Sequence, residues 1–339
     1  MAPAPMTTVR IIRYLHQFMT RSPNFDAFAR LYTNVRPRFV HMHWPPPEVL
    51  MDVALVSDLL RRQHPDFADY EIREASAGFD NTIWRLGDDF VVRLPRRAIG
   101  AVLMEHELRW LPELAPRLPL QVPTPIRAGQ PSSQFAWPWS IAKWIEGSPG
   151  NSVRVETLRN GAEQFGRFLR SLHVDAPATA PVNEFRGVPL QRYESSFLTR
   201  LKQVGGHVDR EAVLEVWRNA IDAPPWSKSD VWLHGDLHPA NTIFDNEALV
   251  GVIDFGDLCA GDPATDLAGA LMSLPFESIE EFFDAYGAVD LATKRRTLGW
   301  TVHFGLMFTL LGINSEPSYG PIGRRAIDNA RTFSRTFST

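Results

Sequence analysis

Cysteine is almost absent from this 339-residue chain: Cys259 stands alone. That excludes an internal disulfide framework and fits a reducing compartment, so a cytoplasmic location is expected. Long apolar runs are missing too. The longest uncharged stretch, Leu298–Asn314, carries His303 in its middle. It falls short of the roughly 20 apolar residues that a membrane span needs, so it reads as a buried helix. There is no surplus of one charge: 35 basic against 39 acidic residues leave a net −4. Neither a nucleic-acid partner nor a membrane partner is expected. A secretory signal is not evident, because residues 1–41 hold six Arg against one acid and lack a compact apolar core. Residues 1–43 are therefore expected to be a loosely attached basic extension, with Met42 as the working start. Internal repeats and low-complexity tracts are absent, and oligomeric state has no signature. Apolar residues make up 44% and charged residues 22%, a globular balance in a chain long enough for two lobes.

Glycine is scarce where a phosphate-binding loop would want it. Pro45–Pro47 marks a boundary, and Glu48–Gln63 has the apolar spacing of an amphipathic helix that ends at His64-Pro65. Three strands are expected next, at Tyr70–Ala75, Thr82–Leu86 and Phe90–Leu94, with a Gly87-Asp88-Asp89 turn between the last two. The first two flank Ser76–Asn81, a small, polar loop with Gly78 as its single glycine. Ser76, Gly78 and Asn81 could cover nucleotide phosphates, although the loop matches neither G-x-G-x-x-G nor a P-loop and could be an ordinary hairpin loop. Arg93, on the third strand, needs a phosphate or a carboxylate as partner, unless it lies on a half-exposed polar face. Ile99–Leu114 is expected to be helical with Glu107, Leu111 and Leu114 on one face. Leu118–Pro125 reads as a connector and Ala136–Glu146 as a strand. A strand joining two lobes offers its backbone to a purine, which puts the base near Ala142–Ile145, with Ala142 and Trp144 as candidates.

The second half is expected to be mainly helical: Val153–His173, Gln191–Gln203, Arg210–Ile221, Glu277–Tyr286, Ala292–Leu311 and Gly323–Phe333. Ala176–Pro189 reads as a Pro/Ala-rich loop. Within this half lies the densest chemistry. Asp236 is followed five residues later by Asn241, and thirteen after that by Asp254. Each borders a short apolar run: Val231–Leu233, Thr242–Phe244 and Val250–Ile253. Two acids and an amide at strand ends suit a Mg²⁺-dependent phosphoryl transferase, one acid taking the acceptor proton, the other acid and the amide holding the metal on the nucleotide.

His234–Asn241, Ile253–Asp257 and Asp262–Asp266 together resemble the aminoglycoside phosphotransferase family, relatives of the protein kinases that include macrolide and other small-molecule kinases. The resemblance runs from about Trp44 to Phe333. It implies an α+β, protein-kinase-like two-lobe fold: a small antiparallel-sheet N-lobe over residues 44–147 that binds nucleotide, and a mainly helical catalytic C-lobe over 148–339. It implies Asp236 as the catalytic acid, Asn241 and Asp254 as Mg²⁺ ligands, and Glu107, with Glu105 as runner-up, as the helix acid paired to the strand cation. Arg93 departs from the Lys usual in related kinases, so Arg96 or Arg97 could share its role. The implied activity moves the γ-phosphoryl of ATP or GTP to a hydroxyl of a small molecule, with an aminoglycoside-type antibiotic favoured. A macrolide or other hydroxylated metabolite is the alternative, as is a catalytically weak nucleotide-binding protein. An aminoglycoside would call on acids such as Asp257, Glu277, Glu280, Glu281 and Asp284, unless the last four are a solvated helix face. A macrolide would call on Trp300, Phe304, Phe308 and Tyr319. His234 and His238 are more simply structural than zinc ligands, Asp257 could face substrate or brace the loop, Asp266 is expected to cap a helix, and Cys259 to pack.

Overall fold

The computed structural model describes residues 47–336 apart from residue 79. The basic extension expected over residues 1–43 lies outside these residues.

Helix α1 (Val53–Gln63) starts later than its apolar spacing suggested. Asp52 caps it by accepting from Leu55 N at 2.8 Å, while Glu48 N–H is spent on Arg96 O at 2.9 Å. Its buried Val56, Leu59 and Leu60 lie against a five-stranded sheet. The strands are β1 (Ile72–Ala77), β2 (Asn81–Leu86), β3 (Phe90–Pro95), β4 (Pro125–Gly129) and β5 (Trp139–Lys143), in the order β1-β2-β3-β5-β4. Every neighbouring pair is antiparallel. Strand β4 corrects part of the expected connector: it begins at Pro125, where a missing N–H is tolerated at a strand's first residue on a sheet edge. Strand β5 is shorter than the Ala136–Glu146 run, because a turn in which Phe135 N–H donates to Ser132 Oγ precedes it. Helix α2 (Ala98–Leu114) crosses between this sheet and the second half, burying Met104, Glu107, Trp110 and Leu111.

After the short β6 (Ser148–Pro149), the helix expected over Val153–His173 is two helices, α3 (Val155–Arg159) and α4 (Ala162–Leu172). Gly161 lies at the break. A Cβ there would meet the Phe244 ring at 3.0 Å and Leu249 at 3.1 Å, so a bare backbone is needed for the chain to pass this close to the strands beneath it. Helices α5 (Glu194–Gln203) and α6 (Arg210–Ile221) follow as expected. Strands β7 (Val231–Leu233), β8 (Thr242–Asp245), β9 (Ala248–Val252) and β10 (Cys259–Gly261) form two small antiparallel sheets, β10-β7 and β6-β8-β9. Four helices complete the chain: α7 (Ala264–Ser273), α8 (Ile279–Tyr286), α9 (Leu291–Asn314) and α10 (Tyr319–Arg335).

Among the described residues there are two large apolar cores and a small third cluster of Val231, Leu233 and Cys259. One large core holds Trp84, Trp139 and Ile141 beneath α1, and the other holds Phe165, Phe168, Trp217, Phe255 and Trp300 among the helices. A small antiparallel sheet beside a mainly helical half is the two-lobe α+β architecture expected. The uncharged Leu298–Asn314 run lies inside α9, with Trp300, Val302 and Phe304 buried. Among the described residues, no helix is long and apolar enough to cross a membrane.

Candidate active site

The site is built where β7 ends. Leu233 hands the chain to a loop that the first turn of α7 holds from behind. Asp266, fully buried, accepts from His234 N–H at 2.7 Å and from Gly235 N–H at 2.9 Å. It is not the helix cap expected, since α7 begins two residues earlier and its carboxylate faces the loop instead. His173 Nε2, at 3.2 Å, ties the same carboxylate to α4. Gly235 has φ +85°, a left-handed backbone, and a Cβ there would run into Asp257 O. This bend swings Asp236 out of the core. His234 Nε2 donates to Ile253 O at 2.9 Å and its Nδ1 accepts from Asp236 N–H at 3.3 Å. Both ring nitrogens are thus used structurally. Among the described residues, no group of three or more His, Cys, Asp or Glu is placed to hold a metal ion.

The Asp236 carboxylate is about one-third exposed, with Arg186 Nη2 3.1 Å from Oδ1 and His238 Nε2 3.5 Å from Oδ2. Burial works to raise its pKa, but the His238 hydrogen bond and charge, followed by Arg186, outweigh it and hold the carboxyl well below the usual range. Asn241 closes the loop. Its Nδ2 donates to Asp236 O at 2.9 Å, so the amide oxygen remains as an acceptor. Ile253 N–H donates to Asn241 O at 2.9 Å, bringing Asn241 beside the residue that precedes Asp254. Asp254 adopts φ 66°, ψ 66° and leaves its carboxylate half exposed. A left-handed Asp at the end of a strand is a strained position of the kind that functional sites retain.

On the sheet side, β3 buries Arg93, whose Nη1 pairs with Glu107 of α2 and whose Nη2 lies 4.0 Å from Asp254 Oδ1. Glu105 is exposed. Glu107 is only 1% exposed, so Glu107→Ala leaves the Arg93 guanidinium buried without its carboxylate. Breaking such a pair costs about 3–5 kcal/mol. A urea titration in which this variant matches the wild-type unfolding free energy would contradict the assignment. Arg96 Nη1 donates to Gly78 O at 2.6 Å, and Gly78 N–H to Asn81 O at 2.8 Å. Both therefore brace the Ser76–Asn81 turn. Ser76 is exposed at the end of β1, and Asn81 is buried in β2 with its Oδ1 unpartnered among the described residues.

Ala142 is buried in β5 with β3 on one side and β4 on the other. Trp144 lies just past the strand, its N–H spent on Asp89 O at 2.8 Å and its ring under Arg85 at 4.1 Å. The peptide of Ile145 has no backbone partner among the described residues. Ile145, itself buried, is thus the residue of the expected purine edge whose backbone is unpaired.

Three contributors escaped the sequence reading. Asp80 is part buried on the Ser76–Asn81 loop, 3.4 Å from Arg97 Nη2. Burial first, then the charges of Asp254, Asp257 and Asp236 against the pull of Arg97, push its pKa up to about 7. The folded chain thus keeps a proton that the unfolded chain loses near the ordinary value of 3.8. Stability attributable to Asp80 is full below that value and falls as pH rises towards 7. Asp80→Asn should therefore gain stability over the wild type between pH about 4 and pH about 8, read as the difference in urea midpoint at the two pH values. A pH-independent difference counts against this. The other two, Asn183 and Arg186, come from the loop expected at Ala176–Pro189. Asn183 Nδ2 donates to Asp257 Oδ1 at 2.7 Å, and Arg186 Nε to Gly235 O at 2.5 Å. Nothing local in the sequence marks them, because their partners lie far along the chain.

The four acids Glu277, Glu280, Glu281 and Asp284 are exposed. With Glu163, Arg167 and Arg170 they line an open surface cleft that shares no residue with the Asp236 site. Of the aromatic residues, Trp300 is fully buried core. Phe304 lies 5.4 Å beneath the Arg186 guanidinium, Phe308 is 5.5 Å from the His238 ring, and Tyr319 packs on Phe308 at 5.2 Å.

Comparison with known proteins gives this arrangement a context. An aminoglycoside 3'-phosphotransferase of Escherichia coli is 29% identical over 136 residues, which cover 38% of this chain and 50% of that protein. The matched chain thus spans about half the length of the curated relative; a Salmonella typhimurium aminoglycoside 3'-phosphotransferase matches to the same extent. Among solved structures, the GDP complex of aminoglycoside 2'-phosphotransferase-IIIa superposes with a TM-score of 0.63 at 20% identity, covering 84% of this chain and all of that one. A macrolide 2'-phosphotransferase from Brachybacterium faecium superposes with a TM-score of 0.56 at 25% identity, covering 81% and 97%. The profile of the phosphotransferase enzyme family matches residues 71–300, well over half of the sequence, and the chain belongs to that family.

Proposed function

We propose that this chain transfers the γ-phosphoryl group of ATP or GTP to a hydroxyl of a small molecule of the aminoglycoside or macrolide kind. One observation carries the reading. Asn241 spends its amide N–H on the Asp236 carbonyl, so its oxygen and the half-exposed Asp254 carboxylate are the two hard oxygens left beside the acid that meets the acceptor. Mg²⁺ takes one or two protein oxygens and completes its shell with phosphates and water, a donor set these residues fit. When bound, it would neutralise phosphate charge. Asp236, kept ionised, would accept a hydrogen bond from the acceptor hydroxyl and orient it for attack. Arg93, held by Glu107, would face the phosphates across Asp254 as a fork-shaped donor, under the Ser76–Asn81 loop. The purine would lie along Ala142–Ile145, with Ile145 as its backbone partner.

Incubation with labelled ATP or GTP across hydroxylated antibiotics and metabolites, followed by mass analysis, should show one acceptor gaining a single phosphoryl group. Nucleotide consumed without any phosphorylated acceptor would point to a hydrolase instead.

A further inference from the structure

The brace behind the Asp236 loop reaches further into the helical half than Asp266. That carboxylate takes hydrogen bonds on both oxygens: Oδ1 from Gly235 N–H at 2.9 Å, and Oδ2 from His234 N–H at 2.7 Å and from His173 Nε2 at 3.2 Å. His173 ends α4, and its other ring nitrogen, Nδ1, lies 2.9 Å from Tyr286 Oη. Tyr286 is the last residue of α8. Packing fixes its reach. A Cβ at Gly166 of α4 would come within 2.8 Å of Ala285 Cβ and 2.9 Å of Tyr286 N, so bare backbone lets α8 lie directly on α4. The Tyr286 ring meets the His173 ring edge-on at 5.5 Å and stacks on Phe282 at 6.2 Å. The side chains of His173 and Asp266 are 3% and 0% exposed, so water does not compete for their bond.

The two ends of this chain of bonds decide where the ring hydrogen sits. Asp266 accepts main-chain N–H groups on both oxygens, so the His173 nitrogen facing it is a donor. Burial, then the Asp266 charge, push the Tyr286 pKa well up, so the phenol keeps its hydrogen. Among the described residues, His173 Nδ1 is the hydrogen-bond partner of Oη, and it therefore accepts. Only the tautomer with its hydrogen on Nε2 satisfies both neighbours. Without the hydroxyl, the hydrogen is free to move to Nδ1, which sets a lone pair against the Asp266 carboxylate and removes one of its donors. We infer that Tyr286 is a positioning residue for Asp236: its hydroxyl holds His173 in the tautomer that reaches Asp266, and that carboxylate holds the left-handed bend at Gly235. Tyr286 acts through two other side chains and not on a reacting atom. The inference rests on the phosphotransferase reading only where its test reads turnover.

The ring is read first. Nitrogen NMR of the full chain, with the His173 signals assigned along the backbone, should show a single Nε2–H tautomer in the wild type. Tyr286→Phe keeps the aromatic ring and removes the hydroxyl. In this variant both tautomers should appear, and exchange of the Gly235 amide hydrogen should quicken about tenfold, the scale of one hydrogen bond. With a competent acceptor it should also lose about tenfold in kcat at an unchanged nucleotide KM, short of the roughly hundredfold that a 1 Å misplacement costs. Built into His173→Gln, it should lose nothing more, whereas general loosening of the core would add to that loss. An Nδ1–H tautomer or an imidazolium in the wild type, wild-type exchange at Gly235 in a folded Tyr286→Phe, an unchanged kcat, or additive losses overturns the inference. Should a variant fail to fold, the wild-type tautomer decides alone. Absence of phosphoryl transfer to any acceptor would instead count against the function proposed above, and the tautomer and exchange readings would still decide this inference.

Discussion

Asp236→Ala is expected to lower kcat by about 10²–10⁴-fold, the usual contribution of a positioned proton acceptor, while Mg²⁺–nucleotide still binds. The separation follows from the geometry. Asp236 belongs to the loop after β7, and its carboxylate contacts Arg186 and His238. The oxygens proposed for the metal lie elsewhere, on Asn241 just before β8 and on Asp254 just past β9, and the Arg93–Glu107 pair joins β3 to α2. Removing the carboxylate leaves Asn241 Nδ2 bonded to the main-chain carbonyl of residue 236, which alanine keeps. Steady-state kinetics with a competent acceptor, alongside calorimetry with a non-hydrolysable nucleotide, separate the two effects. Turnover near the wild-type rate would falsify the assigned role. Loss of nucleotide affinity with kcat retained would move Asp236 to the metal side.

The second large effect is on stability. Asp266→Ala should cost about 2–6 kcal/mol, because two buried N–H groups, of His234 and Gly235, lose their acceptor at about 1–3 kcal/mol each. The His173 ring loses its carboxylate as well, and with it the tie between α4 and the Asp236 loop. Activity should fall alongside stability, since Gly235 would no longer be pinned in its left-handed bend and Asp236 would lose its aim. Asp266→Asn is the informative companion. It keeps one acceptor oxygen of the same shape and should lose roughly half as much. Urea unfolding of the three proteins at one pH tests the ranking. A variant Asp266→Ala as stable as the wild type would show that the loop is held by something other than this carboxylate.

Much of this protein was legible in the residues themselves. The β2–β3 hairpin, α1, α5, α6 and the short strands around Asp236 follow from apolar spacing and turn residues, which act over a few positions. The spacing of Asp236, Asn241 and Asp254 is legible for the same reason, because one short segment from the end of β7 to just past β9 carries all three. The misses share a different cause. The break between α3 and α4 at Gly161 is imposed by Phe244 and Leu249, some eighty residues away in the sequence. Strand β4 exists because β5 offers it an edge, and Asp266 turned from expected cap to loop brace because His234 and Gly235 reach it first.

The sequence alone determined the grouping of Asp236, Asn241 and Asp254, since these acids and the amide sit close together on the chain and local propensity suffices to line them up. Only the tertiary structure decided what surrounds them. Arg186 and Asn183 reach Asp236 and Asp257 across about fifty and about seventy intervening residues, and no local pattern encodes a pairing that exists only once the second half of the chain is packed. The acids of α8, plausible as ligands in one dimension, belong to another face in three. The acids and the amide were thus set close together along the chain, and the charges that surround Asp236 and Asp257 were set by folding, because charge acts through space and not along the chain.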